Sequence, residues 1–320
     1  MATYVLRRTL QAIPILFGVA IISFAIVQLA PGSPIDRFRN PNVRPEVLQN
    51  LIRLYGLDQP WWDQLIKWLS TFPQVWREDA WGHSLFFYRP VRDIILERIP
   101  ATLLLGGTAL LVTIVVAIPI GILAAVKQYS IADKIITTFA TIGYAIPSFL
   151  LGIYLLVLGA GILGIFPSFG MRTGGAGGGD PLDVAWHMVL PVSSLAIQQI
   201  AGWSRYVRAK MLEVLQQDYV RTARAKGLAS NRVTYKHALR NALIPVITLF
   251  GLTLPGLLSG AVITETIFSW PGLGQLGVQA VETRDYPLVL AFVMVGAFGV
   301  VVGNLLADVL YGLADPRIKY

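Results

Sequence analysis

Six apolar runs, each about long enough to cross a bilayer and none with an ionisable side chain in its middle, constrain this chain more than any other feature. A hydrocarbon core about 30 Å thick takes roughly 20 residues of α-helix. Backbone polar groups in lipid must be satisfied within the spanning structure, so such runs cross as helices. They lie at about Leu10–Ala30, Ala101–Val126, Ile135–Leu163, Met188–Trp203, Pro245–Ile267 and Leu288–Gly312. The fourth is short and carries Ser193, Ser194, Gln198 and Gln199, yet the charge blocks on either side demand a crossing. Only 14% of the residues are charged and 55% are hydrophobic, where soluble domains run nearer a quarter charged. The sequence therefore predicts an all-α integral membrane protein of about six transmembrane helices.

Charge sets the expected orientation. Residues 203–241 hold nine Lys and Arg against Glu213 and Asp218, a net of +7. The loops on the other side are slightly acidic: Arg172, Asp180 and Asp183 in one, Glu282, Arg284 and Asp285 in the other. Basic loops stay in the cytoplasm. Both termini, with Arg7, Arg8, Arg317 and Lys319, are thus expected on the cytoplasmic side of a multi-pass cell inner membrane protein. The same asymmetry explains the net charge of +8 without nucleic acid as a partner. The run after Arg7 and Arg8 is longer than a signal peptide's apolar core, so it reads as a membrane span.

Three divisions follow: residues 1–30 with the first helix, an external subdomain at 31–100, and a five-helix core at 101–320 with a cytoplasmic loop at about 205–245. The external stretch holds Trp61, Trp62, Trp68, Trp76 and Trp81, read as a partly helical subdomain with some aromatics at the lipid interface. The run Gly174–Gly179 reads as a flexible tip, since no Lys-Ser/Thr follows to make a phosphate cradle. Gly256 with Gly260, and Gly299 with Gly303, have the spacing that lets helices approach closely. Pro14, Pro119, Pro147, Pro191 and Pro255 suggest kinks.

Charge-free spans weigh against a self-contained secondary transporter or channel, because ion relays keep ionisable groups at mid-depth. A membrane enzyme would need an acid–base pair or metal ligands, and His83, His187 and His237 have no metal-binding spacing. The chain holds neither cysteine nor a P-loop. Energy for uphill movement would have to come from another chain.

The informative segment is Asp218–Pro245. Asp218 can cap a helix, Tyr219–Lys226 reads as that helix, and Gly227 sits where a left-handed glycine would end it. Ser230 or Asn231 can cap a second helix running through Val233 and His237 toward the fifth span. The residues leave two readings open: a rigid basic helix–turn–helix that transmits motion, or an ordinary positive loop.

The pattern Thr222-Ala223-Arg224-Ala225-Lys226-Gly227, followed by His237-Ala238-Leu239-Arg240-Asn241-Ala242-Leu243 and Pro245, resembles the EAA loop of ABC-importer permeases, in the form typical of the dipeptide/oligopeptide/nickel family. The leading Glu of the general pattern is absent, and Arg221 stands six residues before Gly227. The resemblance covers nearly the whole chain. Tyr4–Pro34, Gly56–Pro60, Arg98–Leu103, Glu265–Phe268 with Pro271–Gly274, and Asp315–Tyr320 are similar to the B-type subunit. It implies a coupling helix formed by Tyr219, Arg221, Thr222, Ala223, Arg224, Ala225, Lys226 and Gly227 that docks on an ATPase. It implies a homologous C-type permease, two ABC ATPase subunits and an external substrate-binding protein as partners, with membrane lipid around the bundle. This chain would then be no enzyme and hold no cofactor, with ATP and Mg bound by the partner ATPases. Ser193, Ser194, Gln198 and Gln199 are the candidates for lining the path, or for hydrogen bonds between helices.

Overall fold

The computed structural model describes residues 2–30, 35, 44–54, 56–174, 180–229, 232–259 and 261–314. Gly174 is the one member of the glycine run among them; the rest of that run, Ser230, Asn231, Gly260 and the motif at Asp315–Tyr320 lie outside the described residues.

Helix is the only repeating secondary structure among the described residues. Four helices are long and apolar enough to cross a membrane. They are α1 (Ala2–Leu29), α4 (Val91–Val126), α7 (Pro181–Leu215) and α13 (Tyr286–Ala314). Between α1 and α4 lie the short helices α2 (Pro45–Leu54) and α3 (Trp61–Thr71). Helix α4 begins before residue 100, so it runs through the expected boundary between subdomain and core. The fourth span, short by hydropathy, is one of the longest helices, at 35 residues.

The third predicted span is broken. Helices α5 (Ile131–Ala145) and α6 (Ser148–Leu155), the latter extended as a π-helix over Leu156–Ile162, meet at a bend of 100°. Ile146, before Pro147, takes an extended conformation with ψ 123°, because a following proline disfavours the helical region. Pro14, Pro119, Pro191 and Pro255 stay inside continuous helices. The bent pair counts as a fifth crossing if taken as one.

The remaining predicted span, Pro245–Ile267, is also divided. After helix α8 (Asp218–Ala225), a π-helical turn at Val233–Ala238 passes into α9 (Leu239–Ala242) and then α10 (Ile244–Ser259). At 16 residues α10 reaches only about 24 Å. Helix α11 (Val262–Ile267) follows, then α12 (Leu273–Glu282). Among the described residues, the expected six spans correspond to four continuous helices and two interrupted segments.

Packing follows the small residues. Helix α4 lies along α7, burying Leu110, Ala117, Ile122 and Ala125 against Trp203, Val207 and Met211. Helices α10 and α13 approach at Gly303, where an added Cβ would lie 2.7 Å from the backbone of Pro255. Gly303 thus has the close-approach role its spacing suggested, while a Cβ on Gly256 would meet nothing within 4 Å.

A buried carboxylate organises the end of the bundle where α4 and α7 begin. Glu265, 1% exposed, accepts hydrogen bonds from Thr102 Oγ1 at 2.9 Å and from the N–H groups of Gly274 and Gln275 at 2.6 and 3.1 Å. It therefore caps the N-terminus of α12, where unpaired N–H groups favour an anion. Thr102 Oγ1 in turn accepts from Leu273 N, and Trp270 donates its indole N–H to Ala101 O at 2.8 Å. A Cβ on Gly272 would fall 2.4 Å from the Glu265 carboxylate, and one on Gly274 2.5 Å from Val262 Cα. Asp285 does the same for α13: its carboxylate takes Leu288 N at 3.4 Å, together with Ser84 Oγ and Phe86 N. The tryptophans divide between two roles. Trp61, Trp62 and Trp76 are exposed, while Phe24, Trp68, Phe72 and Trp81 pack as a continuous aromatic row.

At the other end, Asp133 of α5 is buried and bonded bidentately to Arg208 of α7, at 2.7 and 2.8 Å. Removing Asp133 leaves the Arg208 guanidinium, whose side chain is 24% exposed, without its bidentate partner. Asp133→Ala is therefore expected to lower the thermal midpoint of the detergent-solubilised protein sharply, and Asp133→Ala with Arg208→Met to recover most of the loss.

Candidate coupling helix and translocation wall

Helix α8 follows α7 after only Gln216 and Gln217, and each residue expected in the coupling element has a definite place. Val220 and Ala223 face inward and pack with Val233, Leu215 and Leu228. Tyr219, Arg221, Thr222, Arg224, Ala225, Lys226 and Gly227 are exposed. The helix thus buries a narrow apolar edge on its own chain and leaves a cationic face open.

The cap residue differs from expectation. Gln217 occupies the N-cap without a side-chain bond, and Asp218 is the first helical residue. There its charge still suits the positive end of the helix, and its carboxylate lies 3.6 Å from the Arg221 guanidinium. The C-terminal prediction holds in detail. Gly227 has φ +76°. Its N–H donates to Arg224 O at 2.9 Å and that of Leu228 to Ala223 O at 3.4 Å, the paired bonds of a Schellman ending. The side chain of Leu228 then packs beside Ala223, closing the turn. Asn241 Nδ2 donates to the Tyr219 hydroxyl at 2.8 Å, so α8 is also fastened to α9. These ties make the segment a small rigid block on the end of α7.

The four candidate path residues separate. Ser194 is fully buried: its hydroxyl donates to Pro191 O at 2.8 Å and its Cβ lies beside Gly152 of α6. That is a helix-packing position. Ser193, Gln198 and Gln199 are half-buried, and Gln199 Oε1 is enclosed without a hydrogen-bond partner. The sequence reading missed three groups. Asp133 and Arg208 form the buried pair, with Ser130 Oγ accepting from Asp133 N at 3.3 Å. The signal was present: Ser130-x-x-Asp133 at a helix start is a cap pattern. Glu265 was visible only as part of a motif. Arg205, on α7, lies with its guanidinium carbon 4.5 Å from the centre of the Tyr144 ring.

A cavity of about 960 Å³ opens beside the aromatic row and is lined by Phe24, Gln28, Trp68, Trp81, Tyr88 and Tyr286 among others. At its rim the Arg77 guanidinium, bonded to Asp79, holds that carboxyl below its ordinary range.

The chain matches two family models. One, described as "Binding-protein-dependent transport system inner membrane component", covers residues 117–320. The other, "Binding-prot-dependent transport system membrane comp, N-term", covers residues 1–106. The oligopeptide transport system permease protein AppB of Bacillus subtilis is 44% identical over the full length of both chains. The dipeptide transport system permease protein DppB of Escherichia coli is 38% identical over all of this chain and 99% of that one. Among solved structures, an inward-facing MetNI methionine ABC transporter chain superposes with a TM-score of 0.54 at 18% identity, over 71% of this chain and 98% of that one. That likeness places the fold.

Substituting Gly227 with Val would force a β-branched residue into the left-handed region, at a cost of about 1–2 kcal/mol. No atom stands within 4 Å of the added Cβ, so the effect isolates the backbone. Gly227→Val is expected to leave membrane insertion intact and abolish transport, and Gly227→Asn to retain much of it, as measured by uptake in vesicles.

Proposed function

This chain belongs to the binding-protein-dependent transport system inner membrane component family, and from that premise we propose that it is the B-type permease subunit of an ATP-driven peptide importer, coupled to its motor through α8. The single observation that carries the coupling role is the shape of α8: two buried apolar residues hold it to its own chain while Arg221, Arg224 and Lys226 stand exposed beside Tyr219. The names of the full-length relatives support peptides as the cargo. The assembly would comprise this chain, a homologous C-type permease, two ABC ATPase subunits that hold ATP and Mg, and an external substrate-binding protein. Both termini and α8 would lie in the cytoplasm, and the aromatic row would face outward.

In mechanical terms, this chain does no chemistry. Closure of the ATPases would draw α8 toward its counterpart on the C-type subunit. Helix α7 is continuous for 35 residues, so displacement at α8 passes along it with little loss. The Asp133–Arg208 pair carries the motion into the bent α5–α6 segment, and the Glu265 cluster keeps the far end in register. The bundle would switch between facing inward and outward around a path shared with the C-type subunit. A switch of this kind needs a ligand or motor that favours one state over the other, and ATP binding to the partners supplies it.

The test is charge reversal on the exposed face. With the wild-type chain tagged, the two ATPase chains are expected to co-purify and the complex to take up labelled oligopeptide when given ATP. Arg224→Glu with Lys226→Glu should lose the ATPases on purification while the chain still inserts. Undiminished co-purification and uptake in that double variant would overturn the coupling role of α8.

A further inference from the structure

Helix α5 shows three distinct faces. At 100° per residue, Ile136, Ala140 and Gly143 point toward one side, where Gly143 packs against Ile197 and Ala201 of α7. Ile135, Phe139 and Ile142 are exposed on a second, apolar face suited to lipid. The third face, an arc of about 120°, carries Lys134, Thr137, Thr138, Thr141 and Tyr144, of which all but the half-buried Thr137 are exposed. A helix of a membrane bundle gains nothing by turning a polar arc to hydrocarbon, where small-residue and polar positions favour protein or water-filled surroundings. The arc therefore faces protein or water and not lipid.

Its border on α7 is the row Gln198, Gly202 and Arg205, spaced one turn apart. Gly202 leaves room for Tyr144, whose ring would lie 3.5 Å from a Cβ added there. Arg205 then lies over that ring and is half-buried. Its neighbour Arg208 has a bidentate carboxylate. Arg205 has none among the described residues, and the Tyr144 ring is its contact. A guanidinium held over a ring by the cation–π attraction keeps N–H groups for other partners. Those groups match a carboxylate, which they can take with two parallel bonds.

We propose that Arg205, held over Tyr144 beside the polar arc of α5, takes the carboxylate of a peptide passing along this wall. The assignment rests on the peptide reading above. It makes Arg205 a recognition residue within the permease itself, additional to any choice made by an external binding protein. Tyr144 is its positioning partner.

The chain has no native cysteine, so Arg205→Cys introduces a single thiol on it. In the complete complex in vesicles, this variant is expected to take up peptide with a KM raised about tenfold, the scale of one lost charge-assisted pair. Attaching a cationic aminoethyl methanethiosulfonate should restore most of the loss, and an anionic sulfonatoethyl reagent should deepen it. A peptide with a free C-terminal carboxylate should slow the modification, followed by the mass of this chain. The proposal is overturned if the thiol stays unmodified because another subunit covers it. It is equally overturned if both reagents act alike, or if KM is unchanged while the wild type takes up peptide normally. A wild-type complex that takes up no peptide at all overturns the peptide reading, and this assignment with it.

Discussion

One buried carboxylate sets the geometry from which the rest of the bundle takes its register. Glu265 would be an expensive group to bury alone, but its oxygens are met by Thr102 and by the N–H groups of Gly274 and Gln275. The same contact does three things. It caps α12, it pins α4 to the segment between α10 and α12, and it fixes where Trp270 enters the core formed by Ala101, Leu105, Val184 and Met188. The glycines of Pro271–Gly274 follow from it, because side chains at Gly272 or Gly274 would collide with the carboxylate or with the Val262 backbone. Asp285 repeats the device one helix later and ties in the Ser84–Phe86 turn. One end of the bundle is thereby tied together by side-chain and backbone hydrogen bonds.

The opposite end carries the elements to which the proposed coupling is assigned. Helix α7 continues past its apolar stretch to Leu215, with Lys210 and Glu213 paired at 2.9 Å on its last turns. It hands over to α8 within two residues. Arg208 clasps α5 through Asp133, and Tyr219 bonds Asn241 near the start of α10. Two separate routes thus lead from α8 into the membrane. The Schellman ending and these fastenings give the described part of the segment a defined helical structure, which supports the proposed coupling reading.

Local features were legible in the sequence and distant pairings were not. Gly227 could be placed because a glycine after a short helix has one common backbone role. The spans beginning near Leu10, Ala101 and Leu288 could be placed because long apolar runs admit one solution in lipid. Helix α7 was underestimated, since Arg205, Arg208 and Lys210 resemble loop charges to any hydropathy argument although the backbone stays helical through them. Prolines marked kinks at five places, but among the described residues only Pro147 coincides with a break, and the other four lie inside continuous helices. The Glu265 cluster joins residues 163 and 171 positions apart, which no periodicity reports. Among the candidate wall residues, polarity alone could not separate Ser194, turned into packing against Gly152, from Gln198, which borders the open arc of α5.

In the proposed function this polypeptide is a gate without a motor. Solute accumulation in vesicles holding the purified chain alone, set beside vesicles holding the assembled complex supplied with ATP, tests that most directly. The account predicts accumulation above the outside concentration only with the full complex and only while ATP lasts. Uphill accumulation by the chain alone, driven by a proton or sodium gradient, would contradict it.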